Sequence, residues 1–132
     1  MAETELAKKL RIKPGQRIAL LHAPEGYRQL LGALPENGVV EENLTGQFDL
    51  IQAFFTHKAN LDAQVAGLKG ALAGQGILWV AYPKGGAKAK KETDLNRDIL
   101  AAFLREKGLE AVAQIAVDET WSALRFKRVN GG

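Results

Sequence analysis

Three short stretches of this chain are almost continuously apolar, and two longer ones carry apolar residues at helical spacing. The first kind are "RIALLH" (17–22), "FDLIQAFF" (48–55) and "GILWVAYP" (76–83). Runs of this length and density predict strands buried on both faces, as in a parallel sheet covered by helices. The second kind begins with "HKANLDAQVAGLKGALAGQG" (57–76), where Leu61, Val65, Leu68 and Leu72 form one stripe and Gly74 stands where a C-terminal cap belongs. "TDLNRDILAAFLREKG" (93–108) follows, with Thr93 or Asp94 as N-cap, Leu95, Ile99, Ala102 and Phe103 on one face, and Gly108 as stop. "TELAKKL" (4–10) predicts a short helix closed by Pro14 and Gly15, and "EGYRQLLGAL" (25–34) another ended by Gly32 and Pro35. "NGVVEEN" (37–43) allows a brief strand, and "LEAVAQIAV-DET-WSALRFKRV" (109–129) reads as a hairpin.

Strands that alternate with helices imply a parallel sheet with right-handed crossovers, here with only the last strand reversed. The expected fold is a three-layer Rossmann-like α/β sheet, mostly parallel, ending in an antiparallel hairpin, in one domain spanning 1–132. Handedness puts the two long helices on one side of that sheet and leaves the two short ones for the other. On the last strand Trp121, Ala123, Arg125 and Lys127 share one face, and Ser122, Leu124, Phe126 and Arg128 the other. Incomplete cover near the hairpin would make a homodimer surface there.

Composition narrows the chemistry. Of the 132 residues, 46% are hydrophobic and 25% charged, the profile of a soluble globular protein. No run is long enough to span a membrane, and the N-terminus lacks a secretory pattern, so the cytoplasm is the expected location. With no cysteine, thiol nucleophiles, disulfides and cysteine-ligated zinc are excluded. The net charge of +3 is small; much of it sits in "KGGAKAKK" (84–91) and "RFKR" (125–128).

Beyond these patterns, "FDLI", "LKGALAGQG", "ILWVAYP" and the terminal hairpin are similar to the second half of a class I S-adenosylmethionine-dependent methyltransferase. The whole chain resembles an uncharacterised bacterial family of short proteins of that fold, through "KPGQRIALL", "LWVAYPK" and "DETWSALRF". The resemblance implies that the three apolar strands lie side by side, with "GVVEE" outside the first and the last strand inserted into the far side. It implies a ligand crest at the carboxyl ends of the strands. Four segments meet there: "HAPEG" (22–26), "THK" (56–58), "YPKGG" (82–86) and "DETW" (118–121).

A methyltransferase of this kind has a glycine-rich first turn, whereas "HAPEG" has only Gly26, with Pro24 lacking a donor and Glu25 adding negative charge. Glu41 and Glu42 end the next strand, where an acidic side chain would grip ribose hydroxyls; solvated glutamates are the plainer reading. No "NPPY"-like motif is present. The expectation is therefore a methyltransferase-like scaffold without a resident cofactor, acting as a small-ligand or protein-interaction module. The alternative is a divergent methyltransferase that uses S-adenosylmethionine. As a ligand site, His22, Glu25, Gly26, His57, Tyr82, Lys84 and Trp121 would line the crest around an anionic molecule, with Trp121 and Tyr82 as walls and Lys84 as the charge. No catalytic or metal residues are assigned, since the two histidines share no fixed spacing and Ser122 has no nucleophile-elbow context. Lys88, Lys90 and Lys91 form a further candidate anion site beside a helix start. Nucleic acid is disfavoured there, because that loop has neither arginine nor an aromatic after Tyr82.

Overall fold

The computed structural model describes residues 5–32, 39–84 and 93–129. The elements run α1 (Glu5–Lys9), β1 (Arg17–Leu21), α2 (Tyr27–Leu31), β2 (Val39–Glu41), β3 (Phe48–Phe54), α3 (Lys58–Ala71), β4 (Leu72–Pro83), α4 (Arg97–Glu106), β5 (Leu109–Ala116) and β6 (Trp121–Arg128). They build one sheet in the order β2-β1-β3-β4-β6-β5. β2, β1, β3 and β4 are mutually parallel, and β6 is antiparallel to both β4 and β5. Only β6 is therefore reversed, inserted between the penultimate strand and the rest of the sheet. The mostly parallel, Rossmann-like architecture expected from the alternating pattern is the one observed.

The apolar strands are buried on both faces because each face has its own helical cover. On one, Ala19, Leu21, Ile51, Ala53, Leu78, Val80, Leu124 and Phe126 pack with Leu61, Val65 and Leu68 of α3 and Leu100, Phe103 and Leu104 of α4. On the other, Ile18, Leu20, Leu50, Phe54, Trp79, Ala81, Trp121 and Ala123 pack with Leu6, Ala7 and Leu10 on and after α1 and with Tyr27 and Leu31 of α2. The short N-terminal helix is tied down by Trp79, whose Nε1–H donates to the Leu10 carbonyl at 2.9 Å. A buried indole must place its single donor, and this bond meets that need while closing α1 over the sheet.

Two long-helix boundaries differ from expectation. α3 stops at Ala71, and Leu72 already pairs with Phe48 as the first residue of β4, so Gly74 is not a cap. Between Leu72 and Ile77 the strand makes an excursion where β3 has only Phe48 to Leu50. Gly76 permits it: a Cβ there would meet Leu72 Cδ1 at 2.7 Å and the Ala73 carbonyl oxygen at 2.9 Å. The end of α3 is served from a distance, as Arg128 of β6 donates to the carbonyls of Lys69 in its last turn and of Leu72 and Ala73 just after it. A glycine stop is unnecessary where a guanidinium satisfies the helix end.

At α4 the N-cap is Asn96, whose Oδ1 accepts from the Ile99 amide at 2.9 Å. Thr93 and Asp94 do not cap it. Asp94 Oδ1 instead accepts the Lys58 amide at 2.7 Å, at the start of α3. The later start also rotates the buried face: Leu100, Phe103 and Leu104 point inward, Ala102 is exposed and Ile99 is 41% exposed. No helix among the described residues is long and apolar enough to cross a membrane.

Candidate functional site

β1 and β3 are neighbours whose chains leave in opposite directions. From β1 the chain passes through α2 to β2 on one side, and from β3 through α3 to β4 on the other. The helices also lie on opposite faces, α2 in one core cluster and α3 in the other. Divergent connections open a crevice beyond the carboxyl ends of the two strands. A cavity of about 430 Å³ lies there.

Its walls are aromatic. Phe54, Phe55 and Trp121 line it, and Phe54 meets Trp121 edge-on with centroids 5.0 Å apart. Tyr27 meets Phe54 in the same manner at 4.8 Å. Edge-to-face contacts fix ring planes more firmly than simple area burial does. His22, Thr56, Asn60 and Gln64 supply the polar rim, with Ala63 leaving room between the last two. Asn60, Ala63 and Gln64 fall at i, i+3 and i+4 on α3, so one helical face presents both amides to the crevice.

His22 directly follows β1 with φ at 57°, a left-handed conformation that costs a non-glycine residue about 1 kcal/mol or more. Its ring packs edge-on against Phe55, and Nε2 lies 3.0 Å from Gln64 Oε1. Strain at a strand end, held by two side-chain contacts inside a cavity, is the pattern of a positioned group.

The other sequence candidates are dispersed. His57 does not line the crevice; it precedes α3, with Nδ1 2.9 Å from Thr56 Oγ1. Glu25 and Gly26 line an adjoining hollow of about 270 Å³ with Asp118, which shares only Pro24 and Trp121 with the crevice. Tyr82 and Lys84 line a third hollow, of about 340 Å³, by Ser122 and the start of α4. There Gln114 Nε2 donates to the Tyr82 hydroxyl at 2.8 Å, and burial pushes the Tyr82 phenol above its ordinary pKa. The seven candidates thus form no single site; His22 and Trp121 alone of them enter the crevice.

Glu41 is committed elsewhere. Its Oε2 accepts from Arg17 Nε at 2.5 Å, and the same guanidinium donates to the carbonyls of Gln47 and Thr45 and lies 4.2 Å over the Phe48 ring. The hydrogen bond to Arg17 holds the Glu41 carboxyl below its ordinary pKa. Glu42 is exposed in the bend after β2. Lys88, Lys90 and Lys91 lie outside the described residues. Among the described residues, no group of three or more histidines and carboxylates is placed to hold a metal ion. The sequence reading placed Thr56 on the crest but missed Phe54, Phe55, Asn60 and Gln64. The signal was the polar i, i+4 pair beside the buried stripe of α3, on the turn nearest the crest.

No family model matches the chain, and no curated protein matches it. Solved structures do. DhpI in complex with SAH superposes over 95% of this chain and 83% of its own, with a TM-score of 0.66 at 12% identity. The ribosomal protein L11 methylase of Lactobacillus delbrueckii subsp. bulgaricus covers 95% of this chain and 75% of its own, with a TM-score of 0.62 at 14% identity. A SAM-dependent methyltransferase from Aquifex aeolicus covers 95% and 90%, with a TM-score of 0.62 at 15% identity. At such identities the likeness is one of fold, and the fold is methyltransferase-like.

Proposed function

We propose that this methyltransferase-like domain binds S-adenosylmethionine or S-adenosylhomocysteine in the crevice between β1 and β3. The observation that carries the reading is the position of the 430 Å³ cavity at the divergence of these two strands, walled by Phe54, Phe55 and Trp121. The volume lies within the roughly 300–1,000 Å³ of small-molecule sites. Aromatic walls suit a flat adenine, and the Asn60 and Gln64 amides offer donors and acceptors at its edge. Glu25, whose charge would oppose a ligand carboxylate, belongs to the adjoining hollow. The structural neighbours support the ligand class, since DhpI in its SAH complex and a SAM-dependent methyltransferase from Thiobacillus denitrificans in its S-adenosyl-L-homocysteine complex share this fold. The expectation that the scaffold holds no cofactor gives way to this reading.

Recognition here differs from an acidic grip on ribose. Glu41 is paired with Arg17, so the ligand is held through α3 and the aromatic walls. When bound, S-adenosylmethionine supplies an electrophilic methyl group. His22 is the only titratable side chain among the described residues lining the crevice. In the tautomer whose Nε2–H donates to Gln64, its Nδ1 is an acceptor for a proton or a ligand N–H or O–H. The same reading takes the protein as a cytoplasmic relative of short uncharacterised bacterial proteins, supported by "KPGQRIALL", "LWVAYPK" and "DETWSALRF".

The test is isothermal titration with both compounds at low salt, on the wild type, Ala63→Trp and Glu41→Gln. Micromolar binding is expected, abolished when tryptophan fills the crevice and unchanged in Glu41→Gln. Absence of heat up to millimolar ligand would overturn the proposal, and loss of binding in Glu41→Gln would move the site to β2.

A further inference from the structure

The hollow of about 340 Å³ by the start of α4 is bordered by three neighbouring strands and a helix end. Tyr82 of β4 stands directly opposite Ser122 of β6, so their side chains share one face of the sheet. Gln114 of β5 reaches the same place and donates from Nε2 to the Tyr82 hydroxyl at 2.8 Å. Asn96, Arg97 and Asp98 border the hollow from α4. Lys84 follows the last residue of β4, its amide held by the Thr120 carbonyl at 2.8 Å.

Its deepest groups have a proton to spare. Ser122 is only 8% exposed, and with Gln52 it is one of the two buried polar side chains among the described residues. The Tyr82 oxygen accepts from Gln114, and Ser122 bonds the same phenol. A bond between two hydroxyls uses one of their protons and leaves the other for a third partner. The helix adds further donors, since its first amides have no intrahelical partners. Asn96 takes that of Ile99, while Arg97 and Asp98, the residues carrying the other two, line the hollow.

The charges set the valence of a ligand. Those on the lining are Lys84, Arg97 and Asp98. Arg97 Nε lies 3.4 Å from Asp98 Oδ1, so these two offset each other. Lys84 forms no ion pair among the described residues. One positive charge is left, which suits a monoanion better than a dianion that must also face the Asp98 carboxylate. Apart from the Tyr82 ring the lining has no apolar side chain, so the body of the ligand is polar as well. Gln114 Oε1, at the far end of its amide, is an acceptor for a ligand hydroxyl.

We propose that this hollow binds a small hydroxy acid through its carboxylate, with Lys84 as the counter-charge and the Tyr82 and Ser122 hydroxyls and the α4 amides as donors. It shares no lining residue with the crevice between β1 and β3, so it stands whether or not the crevice takes S-adenosylmethionine.

Lactate is the probe, titrated into the millimolar range at constant ionic strength, beside neutral lactamide, inorganic phosphate and N-acetyl-triglycine. The readout is the NMR signals of the Arg97 and Asp98 amides and the Gln114 side-chain amide, with the Asn60 and Gln64 side-chain amides reporting on the crevice. Saturable lactate shifts are expected in the first group and none in the second, with no response to lactamide. Lys84→Gln should weaken lactate binding about tenfold. Tyr82→Phe and Ser122→Ala should each weaken it about fivefold. Full affinity in Lys84→Gln, equal binding of lactamide, or shifts at Asn60 and Gln64 instead would overturn the proposal. Tighter binding of phosphate would overturn it in favour of a dianion site, and tighter binding of N-acetyl-triglycine in favour of a peptide end.

Discussion

Arg17 of β1 and Glu41 of β2 meet as diagonal neighbours across the strand pair, with Nε donating to Oε2 at 2.5 Å. The pair joins the short edge strand to its neighbour, and the rest of the guanidinium gathers the carbonyls that precede β3. An acid at the end of the second strand therefore has a structural task here.

That task has a pH signature. The folded-state pKa of Glu41 is lowered from the ordinary 4.5, chiefly by the Arg17 hydrogen bond. A depressed carboxyl contributes stability above the ordinary value and loses it as pH falls through the lowered one. Urea denaturation across the acid range should show this decline in the wild type and a flatter limb in Glu41→Gln.

Tyr27 and Gln52 form a buried pair, the phenol donating to Oε1 at 2.7 Å. Among the described residues, Gln52 Nε2 has no partner. Tyr27→Phe strands the other end of the amide as well and should destabilise by about 1–3 kcal/mol. The double variant Tyr27→Phe/Gln52→Leu should recover most of that loss, because removing both polar partners removes the desolvation penalty. Chemical denaturation of the three proteins decides it. Burial, first among the causes, also raises the Tyr27 pKa, so part of the stability is lost as pH rises above about 10. Tyr27→Phe should lack that part of the alkaline decline.

The exchange of caps between the two long helices can be read separately. Asp94→Ala should cost about 1 kcal/mol and speed amide exchange at the start of α3, not α4, because its carboxylate serves Lys58. Asn96→Ala should cost a similar amount, about 1 kcal/mol, with faster exchange at the start of α4. Equal effects at both helices in Asp94→Ala would contradict the assignment.

Arg128 reaches back to the end of α3 and bonds three carbonyls, those of Lys69, Leu72 and Ala73. Charge-assisted bonds in a half-buried setting predict a loss of about 2 kcal/mol in Arg128→Met. Lysine should not restore it, since a single ammonium cannot reproduce the planar fork. Melting curves of the two variants, with exchange at Leu68 to Leu72, test this.

Much of the fold was legible because burial leaves a periodic trace. Strands covered on both faces must be apolar at nearly every position, so 18–21 and 77–82 declared themselves. The stripe Leu61, Val65 and Leu68 did the same for α3. Boundaries were less legible, because a glycine or an acid near a helix end signals a cap only if no distant group supplies one. Gly74 misled for this reason, since Arg128 does its work; Asp94 misled because α4 starts two residues later, at the cap Asn96, which frees Asp94 for the Lys58 amide.

The site was legible in place and not in membership. By itself, the sequence determined the alternation of strands and helices and the reversal of the last strand, consequences of hydrophobic period and crossover handedness, while the crest at the carboxyl ends followed from the resemblance to methyltransferases. Only the tertiary structure decided which crest residues share a cavity. That depends on which side of Trp121 a side chain falls, and on whether a charge is already paired, as Glu41 is with Arg17. Such facts are set by contacts between residues far apart in the chain, and period and spacing carry no record of them.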